Sequence, residues 1–497
     1  MKKLSAIMLS LVLLAPNLYA YEGEMGYFGG ITAGIKLPTT TELMQPKKTT
    51  NATYTLPYKE NIYLTGEPIE ITGTIVIKPV TLDLEKTPVG QYTESYIVKG
   101  NSADGKSSIN RTITLNTMYA YDPVLEQLTK TSTINRWSEN VVANGKTYQL
   151  NQAQSSFSKS ILEDTTPGVM YYSGDVHYDA VYNDVSAGGT VRNQVSSRVY
   201  GYDQPFAKSE TQIRDIFIDM NDNQYFIQET PTYTVYKDIE YAANEPNAIS
   251  LAGNYKEMIR GEGALQYNVL IGKDDLYIGD AIGSTAVVDT PRIEQLTIPS
   301  LSHLDGHPAQ SDIAKMYSLK VFDVSPEAFS PNQVVTRGEY ITMLTKLMQL
   351  ELPPAINPED DLSLIVPLFN DVSILSDTYP VAVAAYEAGL VDAGDFRGDD
   401  FLTREMMYIL NIRLLGLERV GLTTNSIYTP FLDDSLISDN AKSSLYAASK
   451  LGLIPITNGY IFPQQNVTYA DCAGFLNMLL NYLRYDLQKD YNQYIIM

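Results

Sequence analysis

Two periods divide the chain. From about residue 50 to 300, apolar residues recur at every second position. In "PIEITGTIVIKP" Ile69, Ile71, Ile75 and Ile77 share one parity with Gly73, while Glu70, Thr72 and Thr74 take the other. In "MYYSGDVHYDAVYN" Met170, Tyr172, Val176, Tyr178, Ala180 and Tyr182 alternate with Ser173, Asp175, His177, Asp179 and Asn183. Period 2 marks strands with one buried and one wet face. "VRNQVSSRVYG" continues the alternation through Val191, Val195 and Val199, and Gly188-Gly189 in "NDVSAGG" joins the two runs into a long antiparallel hairpin. "DIFIDMNDNQYFIQ" predicts a second hairpin, turning in its Asp-Asn cluster. The expectation is an all-β domain over residues 49–300, either a sandwich or an extended antiparallel sheet.

From about residue 301 the spacing changes to threes and fours. Ile313, Met316 and Leu319 share one helical face, as do Ala382, Ala385 and Ala388, and again Leu445, Ala448 and Leu451. Each block runs through a loop into a second apolar helix, at Leu344–Met348, Ile409–Leu415 and Leu476–Leu480. Three helical repeats are therefore expected, at 301–352, 366–420 and 428–485, giving a multidomain chain with an all-α bundle behind the β domain. Gly389 and Gly452 stand where the first helix of a block should stop, and Lys320 takes that place in the first copy.

The blocks share a phrase. "NQVVTRGEYITML" and "DDFLTREMMYIL" both carry Thr-Arg, at 336–337 and 403–404, while "QQNVTYADCAGFL" keeps the outline with Tyr469 in place of arginine. Asp305, Asp371 and Asp433 open the blocks 31, 32 and 35 residues before the threonine. Thr336 with Glu339, and Thr468 with Asp471, read as helix capping boxes. Capping leaves Arg337 and Arg404 unexplained, because a cation in the first turn opposes the helix dipole. The position makes sense if the guanidinium shares an anion with free backbone N–H groups of the helix start.

In this order, the opening "LDGHPA" and "FNDV", the middle "AAYEAGLV" and the phrases "VTRGE" and "LTRE" resemble surface-layer homology repeats, which occur in threes in exported bacterial proteins. The resemblance covers residues 300 to 485. It implies a three-pronged bundle whose inter-repeat grooves bind pyruvylated secondary cell-wall polysaccharide. The implied polysaccharide-binding residues are Arg337 and Arg404, with Thr336 and Thr403 shaping the turn and Asp305 and Asp371 in the groove. Tyr469 in the third copy and Pro308 in place of the usual tryptophan depart from the pattern, so two competent grooves are expected rather than three.

Residues 1–20 place Lys2 and Lys3 before an apolar run from Leu4 to Leu14 and end on Ala20, the pattern of a secretory signal. Later segments lack the roughly 20 uninterrupted apolar residues of a membrane span. The expected location is the cell wall or surface layer, and residues 21–48, with neither period, are expected to form an irregular N-terminal arm, flexible or donated elsewhere. With 36 Lys and Arg against 58 Asp and Glu, the net charge is −22; such a chain repels nucleic acid and anionic lipid. Cys472 is the sole cysteine and there are three histidines, which gives no support for a disulfide, a zinc site or a cofactor.

No nucleophile elbow or phosphate loop is present, and Asp175, Asp179 and Asp184 fall on the wet face of a strand. The reading is a wall-anchored display protein that is not an enzyme. Two alternatives keep the anchor: a structural lattice or appendage subunit self-associating through a β domain rich in tyrosine (37 against 13 phenylalanines), and a surface enzyme acting on a polysaccharide.

Overall fold

The computed structural model describes residues 28–35, 37–43, 53–78, 80–84, 86–220, 223–242, 253–273, 276–356, 366–421, 428–455 and 458–491. The signal-like residues 1–20 lie outside this set. Among the described residues no helix is long and apolar enough to cross a membrane. Among the described residues a short helix α1 (Thr40–Leu43) precedes fourteen strands. They are β1 (Tyr54–Ile62), β2 (Ile69–Ile77), β3 (Val89–Asn101), β4 (Ser108–Asp122), β5 (Gln127–Ala143), β6 (Lys146–Leu150) and β7 (Ser156–Thr165). There follow β8 (Met170–Asp184), β9 (Thr190–Gln204), β10 (Ala207–Met220), β11 (Asn223–Ala242), β12 (Asn254–Lys273), β13 (Leu276–Val288) and β14 (Arg292–Thr297).

All fourteen strands belong to one antiparallel sheet. The β8–β9 hairpin pairs Asn183 with Thr190, and Gly188 and Gly189 adopt φ of 78° and 94° in its turn. The β10–β11 hairpin pairs Met220 with Asn223; the tip of its Asp-Asn cluster lies outside the described residues.

The sheet curls until its ends meet. Thr285 of β13 donates to Glu70 of β2, and the Tyr63 and Tyr267 rings, at the ends of β1 and in β12, sit 6.3 Å apart. The N-terminal segment closes the seam. Ile31 exchanges two backbone hydrogen bonds with Lys59 (2.8 and 3.0 Å), and Thr40 donates to Glu257 of β12. The described residues ahead of α1 are not a loose arm: Phe28, Ile31, Ala33, Ile35 and Leu37 are all buried. Gly30 lets the segment lie against Tyr58, where a Cβ would stand 1.9 Å from the ring.

The inner face is not purely apolar. Arg111 joins Glu60 (2.8 Å) and Glu139 (2.8 Å), Lys159 meets Glu94 (2.9 Å), Lys130 meets Glu163 (2.8 Å), and Lys237 meets Glu257 (3.2 Å). All of these side chains are buried, each charge sharing the interior with a partner.

Beyond β14 the helices come in pairs. They are α2 (Gln310–Ser318) with α3 (Arg337–Met348), α4 (Tyr379–Glu387) with α5 (Arg404–Leu414), and α6 (Lys442–Lys450) with α7 (Tyr469–Asn481). The second helix of each pair packs on the first helix of another: α3 on α4, α5 on α6, α7 on α2. After a π-helical turn, α8 (Leu487–Asp490) ends the described chain.

This helical body sits on one end of the sheet. Tyr491 stacks on Tyr171 at 5.0 Å, Tyr171 donates to Leu415 O, and Gly168 N donates to Leu414 O. Strand ends there are buried on both faces, as at Met170–Tyr172 and Ala207–Gln212, which is where strict alternation breaks down.

Candidate functional site

The three threonine phrases meet at the centre of the helical body. Val335 N donates to Val467 O, Val467 N to Leu402 O, and Leu402 N to Val335 O, each at 2.9 Å, closing a ring of backbone hydrogen bonds. Thr336, Thr403 and Thr468 then cap α3, α5 and α7, accepting from Glu339 N, Met406 N and Asp471 N. Both expected capping boxes form. In the second phrase the acid comes one residue early, and Glu405 instead accepts from Ser438 N and Oγ.

The helix starts offer no spare donors in their first turn, which corrects the idea that an anion shares their N–H groups. Arg337 N and Gly338 N donate to Asp400 O and Gly398 O (2.8 and 2.9 Å). Arg404 N and Glu405 N donate to Gln465 O and Pro463 O, and Tyr469 N and Ala470 N to Gln333 O and Pro331 O. The next N–H of each helix goes to its threonine. Any anion at these crossings must be held by side chains.

The side chains at the three equivalent positions differ. Arg337 lies with Cζ 5.5 Å from the Phe396 ring, and its buried Nη1 has no hydrogen-bond partner among the described residues. Burial, and then the neighbouring Arg397 and Arg413 guanidinium groups, lower its pKa from the ordinary arginine value. Arg404 is committed through Nε to Ile461 O at 2.8 Å. Tyr469 packs against Phe322 and Phe329 (5.6 and 5.4 Å) and donates to Glu339. The crossing without arginine is thus filled by aromatic rings, and Arg337 is the guanidinium left with an unmade bond.

The opening acids also divide. Asp371 accepts from Phe396 N (2.8 Å) and Arg397 N (2.6 Å), beside Arg337. Burial raises its pKa, but these two N–H groups and the Arg337 charge leave it below the usual aspartate value. Asp433, which opens the third block but was not among the expected binding residues, holds the corresponding turn in the same way through Ile461 N and Phe462 N. Asp305 is exposed and, among the described residues, its carboxylate accepts from Gln310 Nε2; His303, not Asp305, reaches the equivalent turn, at Phe329 O. The structure therefore brings Arg337, Thr336 and Asp371 to one crossing, Arg404 and Thr403 to the next, and leaves Asp305 apart.

Residues 300–341 match the S-layer homology domain, so the chain carries that domain at the α2–α3 pair. The β domain is not recognised by that comparison. Among curated proteins the chain is 33% identical over 156 residues to Exoglucanase XynX of Acetivibrio thermocellus, covering 31% of this chain and 13% of that protein. It is 32% identical over 162 residues to an amylopullulanase of Thermoanaerobacterium thermosulfurigenes (31% and 8%). It is 29% identical over 173 residues to an endoglucanase of Bacillus sp. strain KSM-635 (34% and 17%). The chain spans less than a fifth of the length of each of these relatives, and the match takes in about a third of the chain. All three relatives carry enzyme names, which overturns the exclusion of an enzyme drawn from missing motifs.

The carboxylates first weighed for chemistry stay on the wet face: Asp175 is exposed, Asp179 pairs with Arg192, and Asp184 caps the hairpin turn. A different set lies inside the sheet. Glu60, Glu139 and Glu229 line a cavity of about 30 Å³ with Arg111, Arg214 and Trp137, room for a water molecule or two. Burial raises the Glu229 pKa to about 7 against the opposing pull of Arg214. These groups were findable: Tyr58, Glu60 and Ile62, or Trp137, Glu139 and Val141, place a charge in phase with buried apolar residues.

Proposed function

We propose that the chain is an exported surface protein held non-covalently at the cell wall by its three helix pairs acting as one bundle of surface-layer homology repeats. The ligand on this reading is the acidic, pyruvylated substituent of a secondary cell-wall polysaccharide. Arg337 is the principal contact, with Thr336 and Asp371 setting its crossing and Arg404 and Thr403 the next. The observation that carries the reading is the buried, unpartnered Nη1 of Arg337. A guanidinium in that state binds a carboxylate through the planar fork that a carboxylate matches. The test is sedimentation of the purified mature chain with isolated walls. Binding to native walls and its loss on walls chemically stripped of the acidic substituent is the expected result; equal binding to both overturns the assignment.

A second reading, favoured by the names of the relatives, makes the protein a wall-anchored enzyme that acts on polysaccharide. Release of reducing ends from β-glucan or pullulan by the mature chain supports it, and the absence of any release from either substrate overturns it.

A further inference from the structure

Each threonine phrase follows a turn whose central residue is buried: Phe329, Phe396 and Ile461. The residues on either side of it are exposed and differ in kind. They are Ala328 and Ser330 in the first copy, Asp395 and Arg397 in the second, and Tyr460 and Phe462 in the third. Only the third copy presents two rings. They are 41% and 48% exposed, with centroids 5.8 Å apart and planes inclined by 23°, a stacked pair facing water.

The pair is held in place against local preference. Phe462 has φ of +54°, the left-handed region where a bulky aromatic residue is an outlier and glycine is at ease. Its N–H is anchored on Asp433 (2.8 Å), its carbonyl accepts from Gln465 N (3.0 Å), and Arg404 Nε fixes the intervening Ile461 carbonyl. Exposed Leu432 and Leu436 flank the turn through bonds to Gly459 O and Gln464 Nε2. An apolar rim around two fixed rings is thus contiguous with the Arg404 crossing.

We propose that Tyr460 and Phe462 form a stacking platform for a sugar ring of the wall polysaccharide, beside the crossing of the second and third helix pairs. This rests on the wall-binding reading and deepens it. A pyranose ring offers an apolar C–H face that covers aromatic surface and a rim of hydroxyls that neighbouring polar groups satisfy. The site takes the neutral ring because its exposed surface is two stacked rings edged by Leu432 and Leu436, whereas the other crossing holds the buried Arg337 Nη1, which has no partner among the described residues. The two crossings divide the labour: one reads charge, the other ring shape.

The test measures affinity of the mature chain for solubilised wall polysaccharide, using Tyr460→Ala, Phe462→Gly, Tyr460→Trp and Arg337→Ala. Glycine at 462 keeps the left-handed backbone, so the fold is retained. The expected result is about a tenfold loss for each of the first two, the effect of leaving roughly 60 Å² of apolar surface uncovered. Tyr460→Trp keeps wild-type affinity, which a merely structural role for the tyrosine does not predict. If the wild type and Arg337→Ala differ but the aromatic variants bind like wild type, the platform is wrong and the anchor stands. If the wild type does not bind, both fall. Aromatic variants that change the sedimentation of the free chain and not its glycan affinity make the patch a protein contact and also overturn the proposal.

Discussion

Replacing Lys159 with methionine removes the cation that balances Glu94 inside the curled sheet. Lys159 Nζ lies 2.9 and 3.1 Å from the two Glu94 oxygens, which also accept from Tyr96 (2.6 Å) and Thr117 (2.5 Å). Burial alone raises the Glu94 pKa, but the Lys159 charge and these hydroxyls bring it from 4.5 down to about 2. That drop corresponds to about 3 kcal/mol of folding free energy, present above pH 4.5 and lost as pH falls from 4.5 through 2. In Lys159→Met the burial effect wins and the carboxyl pKa rises above 4.5. The sign of the pH dependence then reverses: stability is gained as pH falls through the raised value and lost as pH rises through it. At pH 7 the variant is expected to lose about 3–5 kcal/mol, the cost of one uncompensated buried charge. Trp137, the single tryptophan and 2% exposed in the β domain, reports unfolding of that domain in a urea series at pH 7 and pH 5. A loss under about 1 kcal/mol at pH 7, or a larger loss at pH 5, refutes the reasoning. Adding Glu94→Leu removes the stranded carboxylate and should restore most of the stability.

Three further outcomes follow from the same geometry. Glu229, with a folded pKa of about 7, contributes stability that is full below pH 4.5 and lost as pH rises through 7. Glu229→Gln should therefore gain on the wild type by about 2 kcal/mol between pH 5 and pH 8.5, measured by Trp137 fluorescence. Lys320 takes φ of +60° where Gly389 and Gly452 take +70° and +69°, so Lys320→Gly should stabilise the helical body by about 1 kcal/mol in thermal unfolding. Gly30→Ala drives a methyl into the Tyr58 ring and should cost about 2 kcal/mol or more, detected as a lower urea midpoint of the Trp137 signal.

The strands and helix pairs were legible because their periods are local. Parity told which residues of β2 and β8 face inward, and three-four spacing gave the buried faces of α2, α4 and α6. What parity does not tell is which inward charge meets which: Glu60 and Arg111 lie three strands apart, and Thr285 and Glu70 meet only because the sheet curls. Charges in phase with apolar residues, such as Glu60 and Glu139, face inward because each meets a partner there, against the default that places charge on the wet face. The described residues between 28 and 37 gave no period because they are packed at once by β1, through Lys59 and Tyr58, and by β12, through Gly261 and Gly263, and Gly30 serves close approach. At the ring of phrases the threonine caps were legible. The fate of the first N–H groups was not, since they bond across to a different pair, and neither was the role of Asp433, whose partners lie 28 and 29 residues on.

The central claim is that a guanidinium with an unmade bond at the α3 start holds the chain on the wall. The most direct measurement is the dissociation constant of the mature chain on isolated walls for the wild type, Arg337→Ala and Arg337→Lys. Removing a charge-assisted, two-pronged contact worth about 2 kcal/mol should weaken binding roughly thirtyfold in Arg337→Ala. Arg337→Lys should recover only part of it, since the ammonium keeps the charge and loses the fork. Arg337→Ala binding as tightly as the wild type, with both folded, would contradict the account.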